Sequence, residues 1–169
     1  MREARTFRGA AILAALLLAA GAFAFITMRA PAPQSESAGQ FQRDTLELVT
    51  ATGTHSIDIE LAATITEQSQ GLMYRTSLAD TQGMLFLHTM PGEVRMWMRN
   101  TYIPLDMVFI RADGTVHRIA AMTEPLSDTV VASNGDVTAV LELNGGAAER
   151  LGVKPGDKVR HKHFAPAKP

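Results

Sequence analysis

The residue types best suited to chemistry are concentrated between residues 96 and 110. This stretch holds the only tryptophan, Trp97, followed by Arg99, Asn100 and a carboxylate, Asp106, that stands between two large apolar residues. A carboxylate in apolar surroundings either has its pKa raised, so that it becomes an acid or base, or is held by a cation and hydrogen-bond donors. Arg75 is a further cation that could hold it. The predicted ligand-binding site therefore consists of Arg75, Trp97, Arg99, Asn100 and Asp106.

Asp106 has two interpretations. In the first it is a buried structural carboxylate that ties residues 99–104 to the sheet. In the second it is the acid or base of a hydrolase or isomerase. Hydrolysis is better served by two carboxylates, and Glu60 or Glu142 could supply the second if their strands are neighbours. Both glutamates are more simply interpreted as outward-facing residues of alternating strands, so the sequence establishes no activity and favours a non-catalytic protein.

Aromatic side chains offer a way to bind a saccharide. Residues 96–110 contain three aromatic side chains, Trp97, Tyr102 and Phe109. In many sugar-binding modules a ring covers the apolar face of a pyranose while amide and carboxylate groups bind its hydroxyls. The alternative is that these rings belong to the core. Side-chain alternation places Trp97 on the same side as Arg95 and Arg99, which favours a position at the mouth of a site.

Methionine is unusually frequent in the middle of the chain, where seven of the nine lie between residues 73 and 122. Thioether and imidazole groups without thiolates are ligands that suit Cu(I) in an oxidising compartment. The candidate ligands are His88, Met90, Met96 and Met98. The alternative is that methionine fills gaps in the core, and no cofactor is predicted.

Short strands must position these residues. Alternation of apolar and polar residues predicts an antiparallel pair, 45–50 and 57–61, and a continuous apolar run predicts that strand 83–87 is covered on both faces. Asp113-Gly114 is a strong hairpin signal. The other predicted strands are 107–111, 116–122, 137–143 and one around 158–160. Further turns are predicted at Pro91-Gly92 and Asn134-Gly135, and short helices over 67–70, capped by Thr66, and over 147–151. These signals predict an all-β fold, a compact β-sandwich or barrel of seven or eight short strands with one or two short helices.

The N-terminus has a different composition from the rest of the chain. Residues 1–30 carry four arginines and one glutamate, a net charge of +3, and include an uncharged apolar run from Gly9 to Met28. Such a segment is either a signal peptide, for which residues 22–24 offer an Ala-x-Ala cleavage site, or an N-terminal membrane anchor. In both cases the positive-inside rule predicts export of the domain across the bacterial inner membrane, so that it is periplasmic, membrane-anchored or secreted.

The composition shifts divide the chain into four parts. Residues 1–29 are predicted to be the signal peptide or membrane anchor, 30–43 a flexible Pro- and Ser-rich linker, 44–161 a single β domain and 162–169 a disordered tail. Because the whole chain carries −1, residues 31–169 carry −4, and no nucleic-acid partner is expected. The absence of cysteine excludes disulfides, a thiol nucleophile and a thiolate zinc site.

Four motifs in order resemble a known family. They are Gly71-Leu72-Met73-x-Arg75, Gly83-Met84-Leu85-Phe86, Trp97-Met98-Arg99-Asn100-Thr101 running into Ile103-Pro104-Leu105-Asp106, and Val140-Leu141-Glu142-Leu143-Asn144-x-Gly146. Their order and spacing are similar to those of the bacterial and archaeal family called domain of unknown function 192. The resemblance implies a compact β-rich domain, often exported, without an established activity. This chain departs from the family pattern at His88 and Met96, positions where members of the family commonly have an aromatic residue.

The sequence therefore predicts a cell-envelope binding or accessory module. Its expected partners are a saccharide or another small polar ligand and, if the N-terminal segment is retained, the inner membrane. The alternatives that remain open are a hydrolase or isomerase that uses Asp106 and periplasmic Cu(I) binding by methionine and histidine.

Overall fold

The computed structural model describes residues 41–164. The predicted signal peptide or anchor, nearly all of the predicted linker and the last five residues lie outside this range. Within residues 41–164, no helix has the length and apolarity required to cross a membrane.

Seven strands form one mixed sheet, which confirms the predicted all-β class. The strands are β1 (Gln42–Thr50), β2 (Gly53–Ala62), β3 (Gln82–Met96), β4 (Leu105–Ile110), β5 (Val116–Thr123), β6 (Val131–Asn144) and β7 (Lys158–Arg160), and the helices are α1 (Ile65–Gln70) and α2 (Ala147–Arg150). Their order in the sheet is β5-β4-β6-β3-β2-β1-β7, in which only β2 and β3 are parallel. The sheet curls into a half-barrel, and a bridge between Thr115 and Lys158 joins its two edges.

The curled sheet has a hydrophobic cluster on each face. One cluster includes Ile57, Ile59, Leu141 and Leu143 with the alanines of α2, and we call this side the α2 face. The other includes Met84, Phe86, Met98, Met107 and Val140, and we call it the Trp97 face because Trp97 lies on this side. Since side chains alternate along a strand, the central strands β3, β4 and β6 bury residues on both faces. This confirms that residues 83–87 form a strand covered on both sides.

The first hairpin follows its sequence pattern closely. β1 and β2 are antiparallel, with Leu46 opposite Ile57. Ile57, Ile59 and Leu61 are all buried on the α2 face. The alternation of apolar and polar residues thus predicted both the pairing and the buried side.

The N-cap of the first helix lies two residues earlier than predicted. Thr64, not Thr66, is the N-cap: its hydroxyl accepts a hydrogen bond from Glu67 N at 3.2 Å, and Glu67 Oε2 accepts one from Thr64 N at 2.8 Å. This reciprocal capping box satisfies two backbone N–H groups that the first turn leaves without partners. The prediction at Thr66 was wrong because it did not use Glu67 as the third residue of the helix.

Two predicted turns are irregularities inside long strands. Pro91-Gly92 lies within β3 and Asn134-Gly135 within β6, where the register between the two strands shifts. Asn134 and Gly135 adopt positive φ angles of 55° and 153°. A bulge uses the same residue types as a turn, and the long β3–β6 ladder keeps the chain extended on both sides of it.

The end of the described chain is packed. Phe164 is 8% exposed and belongs to the cluster on the α2 face, and the side chain of His161 is 2% exposed beside Asp44. At the other end, Phe41 is buried on the Trp97 face, and β1 begins at Gln42. Packed residues therefore extend at both ends beyond the predicted domain limits of 44 and 161.

Candidate functional site

One row of residues crosses the sheet and carries two glutamates. Strand registers place Glu60 on β2 beside Met84 on β3, Met84 beside Glu142 on β6, and Glu142 beside Met107 on β4. Side chains in register on neighbouring strands point to the same face. The row therefore lies on the Trp97 face, with Glu142 flanked on both sides by methionine.

The two glutamates have opposite environments. Glu60 pairs with the Arg75 guanidinium, whose Nη1 lies 3.2 Å from Glu60 Oε1. Glu142 is 4% exposed, and within residues 41–164 its carboxyl has neither a cation nor a hydrogen-bond donor. Burial alone raises the pKa of Glu142 to about 8. The sequence-based interpretation of Glu142 as an outward-facing residue is wrong, because both faces of β6 are covered.

Close strand pairing fixes the backbone at Glu142. Gly83 lies on β3 opposite Leu143, and a Cβ atom at Gly83 would stand only 2.7 Å from the backbone oxygen of Glu142. Only glycine permits this approach without a shift of the strands. The glycine of the second motif thus helps to place the carboxyl of the fourth.

Glu142 lines a cavity of about 160 Å³ on the Trp97 face. One water requires about 10–15 Å³ of such space, so the cavity can hold a small organic group. Its apolar lining includes Leu72, Met73, Phe86, Met96 and Trp97. Its polar lining includes Gln68, Ser69, His88, Arg99 and Thr101.

Trp97 directly follows β3 and is held by Arg99 at the rim of the cavity. It is 47% exposed, and the Arg99 guanidinium carbon lies 5.8 Å from the centre of its ring. Arg99 Nε in turn donates to Asp128 Oδ1 at 2.7 Å. The cation–π contact and the ion pair of Arg99 therefore orient the tryptophan. This contact agrees with the prediction that Trp97 and Arg99 lie on the same side of the chain.

Asn100 joins two of the loops around the cavity. Its backbone is left-handed, with φ at 56°, and its carbonyl accepts a hydrogen bond from Tyr74 N at 2.8 Å. Its side-chain amide donates to the Met73 sulfur at 3.8 Å. Asn100 thus positions a methionine of the cavity wall, and asparagine is among the residues that tolerate this backbone conformation best.

The four predicted copper ligands occupy three environments. His88 and Met96 line the Glu142 cavity. Met98 is 1% exposed, and its sulfur accepts a hydrogen bond from Thr123 Oγ1 at 3.1 Å, whereas Met90 is 75% exposed. Within residues 41–164, no group of three or more histidine and acidic side chains is arranged to hold a metal ion.

His88 contributes a second polar group without a partner. Its Nε2 atom is buried and makes no hydrogen bond within the described chain. Burial, followed by the nearby charge of His163, lowers the pKa of His88. Its imidazole is therefore neutral at pH 7.

Asp106 lies on the α2 face, opposite to Glu142. It is 0% exposed, and its carboxylate accepts three backbone hydrogen bonds. Oδ1 accepts from Met122 N at 2.8 Å and Gly146 N at 3.0 Å, and Oδ2 accepts from Ala148 N at 2.9 Å. These bonds tie β4 to the end of β5 and to the start of α2.

Arg75 lines a second cavity, of about 530 Å³, over β1 and β2. The cavity is larger than that of Glu142, and its two ion pairs join Arg75 with Glu60 and Asp44 with Lys162. It also carries the charged side chains of Arg43 and Asp58, but none of its carboxyls is buried as Glu142 is. We therefore take the Glu142 cavity as the candidate site.

The structure brings together only part of the predicted site. Trp97 and Arg99 share the candidate cavity and Asn100 adjoins it through Met73, whereas Arg75 and Asp106 lie elsewhere. The predicted ligand-binding site did not include Glu142, which was interpreted from the sequence as an outward-facing residue. A lone glutamate within the apolar run 139–143 is the signal that identifies it, because such a run indicates burial on both faces.

Comparisons with known proteins agree with this fold. The profile of the family DUF192, described as "Uncharacterized ACR, COG1430", matches residues 47–161. The chain is similar to the solved structure of a candidate transcription regulator from Sinorhizobium meliloti 1021, with 43% identity, a TM-score of 0.71, and coverage of 73% of this chain and 97% of that one. It is also similar to a protein of unknown function from Novosphingobium aromaticivorans DSM 12444, with 45% identity, a TM-score of 0.71, and coverage of 74% and 89%.

No curated protein matches the sequence. The family match extends from within β1 to the end of β7, and thus includes every residue that lines the Glu142 cavity. The resemblance carried by the four motifs is confirmed: the chain belongs to the DUF192 family.

Proposed function

We propose that this protein is a non-catalytic binding module whose ligand, a saccharide or another small polar molecule, occupies the Glu142 cavity. The observation that carries the proposal is the buried Glu142 carboxyl, which has no partner in the described chain and faces a cavity beneath an exposed tryptophan.

Unpartnered polar groups in a protein interior are costly and uncommon. Each one left without a hydrogen bond costs about 1–3 kcal/mol. His88 Nε2 is such an atom. Glu142 is 4% exposed with neither a cation nor a donor among the described residues, and both residues line the same cavity. A ligand that supplies their missing partners would recover part of this cost, and this supports a binding role for the cavity.

The walls suit a ligand that has both polar and apolar surfaces. Trp97 and Met96 offer apolar contact at the mouth. Gln68 Nε2 donates to the Leu87 carbonyl at 2.7 Å, which orients its amide. Thr101 is also buried in the wall. An aromatic ring beside fixed amide, hydroxyl and carboxyl groups is the combination that sugar-binding sites use.

The arrangement favours binding over catalysis. Glu142 is the single carboxyl of the cavity, whereas hydrolysis of a glycosidic bond ordinarily requires two carboxyl groups about 5–10 Å apart. The alternative acid or base, Asp106, is enclosed by backbone donors on the opposite face. We therefore assign Asp106 a structural role in the proposal.

Methionine methyl groups provide the test. In protein labelled with ¹³C at the methionine methyls, a panel of monosaccharides and small polar compounds should shift the Met73 and Met96 resonances, since both side chains line the cavity. Met90, which is 75% exposed, serves as the internal control. A panel that leaves Met73 and Met96 unshifted, or shifts all methionines equally, would refute the proposal.

A further inference from the structure

We propose that the ligand of this cavity carries a protonated amine, whose ammonium group pairs with the Glu142 carboxylate while the rest of the molecule lies against Trp97 and the methionine side chains. The inference rests on the proposed binding function and specifies the chemical class of the ligand.

The first argument is the balance of charge. Two cations lie at the rim of the cavity, and each has its own acidic partner: Arg99 pairs with Asp128, and Arg95 with Glu93 at 3.0 Å. Glu142 has none within the described residues. When Glu142 is ionised, the charge left to be balanced at the base of the cavity is therefore negative.

The second argument is the comparison with Glu60 in the same row of the sheet. Both glutamates lie beside Met84 on the Trp97 face, but the Arg75 guanidinium balances Glu60. Arg75 thus balances the Glu60 carboxylate, whereas no cation of the described chain lies beside the Glu142 carboxyl. A cationic group of the ligand would occupy this position.

The third argument is the chemistry of the walls. Phe86 and Trp97 are aromatic, and their ring faces attract cations. Met73 and Met96 add polarizable sulfur atoms. A carboxylate or phosphate ligand would instead disfavour ionisation of Glu142, because like charges repel strongly in a low-dielectric environment.

The charged and titratable groups around Glu142 determine how binding depends on pH. His88, Arg95 and Arg99 line the cavity. Arg118 on β5 lies over the Phe109 ring and donates to the Ala132 carbonyl. The pKa of Glu142 is about 8, so at pH 7 its carboxyl is mostly protonated and neutral in the free protein. Binding of an ammonium ion then releases this proton to solvent, while the neutral His88 adds no repulsion.

Calorimetric titration with two probes of the same shape tests the inference. Cyclohexylammonium should bind at least about tenfold more tightly than cyclohexanol, a difference of about 1.4 kcal/mol. Near pH 6.5 it should release about one proton, measured in buffers of different ionisation enthalpy, and its affinity should rise up to about tenfold per pH unit until about pH 8.

Two variants locate the effect. Glu142→Gln should remove the preference for cyclohexylammonium and leave the affinity for cyclohexanol unchanged, whereas Glu60→Gln should leave both affinities unchanged. A pH-independent affinity of the wild-type protein for cyclohexylammonium would overturn the inference without any variant.

The outcomes separate this inference from the proposed function. If neutral compounds shift the cavity methionines and the ammonium probe shows no advantage, the inference is refuted and the binding function stands. If no compound, charged or neutral, shifts those methionines, both are refuted.

Discussion

Glu142 occupies a position that is unfavourable for a carboxylate. It lies between Met84 and Met107 on a central strand, with 4% of its surface exposed. Its burial is compensated neither by a cation nor by a hydrogen-bond donor of the described chain. Asp106, by contrast, is fully buried and fully satisfied. The two carboxyls show that burial alone does not identify a site: the presence or absence of partners separates a structural residue from a functional candidate.

The raised pKa of Glu142 predicts a specific loss of stability with pH. Its pKa rises from 4.5 to about 8 on folding, so between these values the folded protein binds more protons than the unfolded one. The free energy of unfolding should therefore decrease as pH rises from about 5 to 8, by up to about 1.4 kcal/mol per pH unit from this group. Glu142→Gln should remove this decrease in urea unfolding measured across the range.

The matched control is Glu60→Gln, which alters a carboxylate of the same row that is paired with Arg75. This variant should retain the pH dependence of the wild-type protein. A stability profile of Glu142→Gln that runs parallel to the wild-type profile would show that Glu142 is ionised without cost in the folded state.

At the scale of elements, the site depends on irregular connections more than on the strands themselves. The end of β3, the loop after α1 and residues 126–128 meet around Trp97, joined by hydrogen bonds such as Met98 N to the Ser127 carbonyl at 3.0 Å. On the opposite face, Asp106 joins β4, β5 and α2 through three backbone bonds. Single polar residues thus add connections between elements that already pair or pack in the sheet.

Asp106→Asn should destabilise the protein. An amide offers one acceptor oxygen where the carboxylate has two, and its NH₂ group would face a backbone donor at Met122, Gly146 or Ala148. We expect a loss of about 1–3 kcal/mol in the free energy of unfolding by chemical denaturation. Asp80→Asn, which weakens an exposed ion pair with Arg150, should cost much less than Asp106→Asn, because solvent screens exposed ion pairs. Unchanged stability of Asp106→Asn would revive the alternative in which Asp106 serves catalysis.

Sequence patterns predicted the elements with uneven success, for physical reasons. β1 and β2 alternate cleanly because one face is buried and the other is solvated. Pro91-Gly92 and Asn134-Gly135 were predicted as turns, since their residue types suit turns and bulges equally. The choice between the two depends on whether a distant strand pairs on both sides of the irregularity, and β3 and β6 do so.

At the scale of the whole molecule, the main structural features and the candidate site lie on opposite faces of the curled sheet. The α2 face collects the structural features: the larger core cluster, Asp106 and the packed side chain of Phe164. The Trp97 face carries the smaller cluster and both cavities. We therefore expect substitutions in the core of the α2 face to change stability without changing the proposed binding at the Trp97 face.

Phe164→Ala tests this separation. Phe164 is 8% exposed in the core cluster of the α2 face, and truncation of a buried phenylalanine costs about 3–5 kcal/mol, with the lower end expected here because the side chain lies at the edge of the cluster. Thermal unfolding should show a clearly lower midpoint, and Phe164→Leu should lose less. The Met73 and Met96 resonances should keep their wild-type shifts in both variants; a change in these shifts would show that the two faces are coupled.

The sequence by itself determined the all-β class, the family and the position of the first hairpin, because these depend on local alternation and on motifs that are contiguous in the chain. It also identified Trp97 and Arg99, which neighbour each other in sequence and in space. Only the tertiary structure decided that Asp106 and Glu142 lie on opposite faces and that Arg75 balances Glu60 instead of Asp106. These facts depend on strand register and on which residues cover each face of the sheet, and both are set by pairings between strands far apart in the chain.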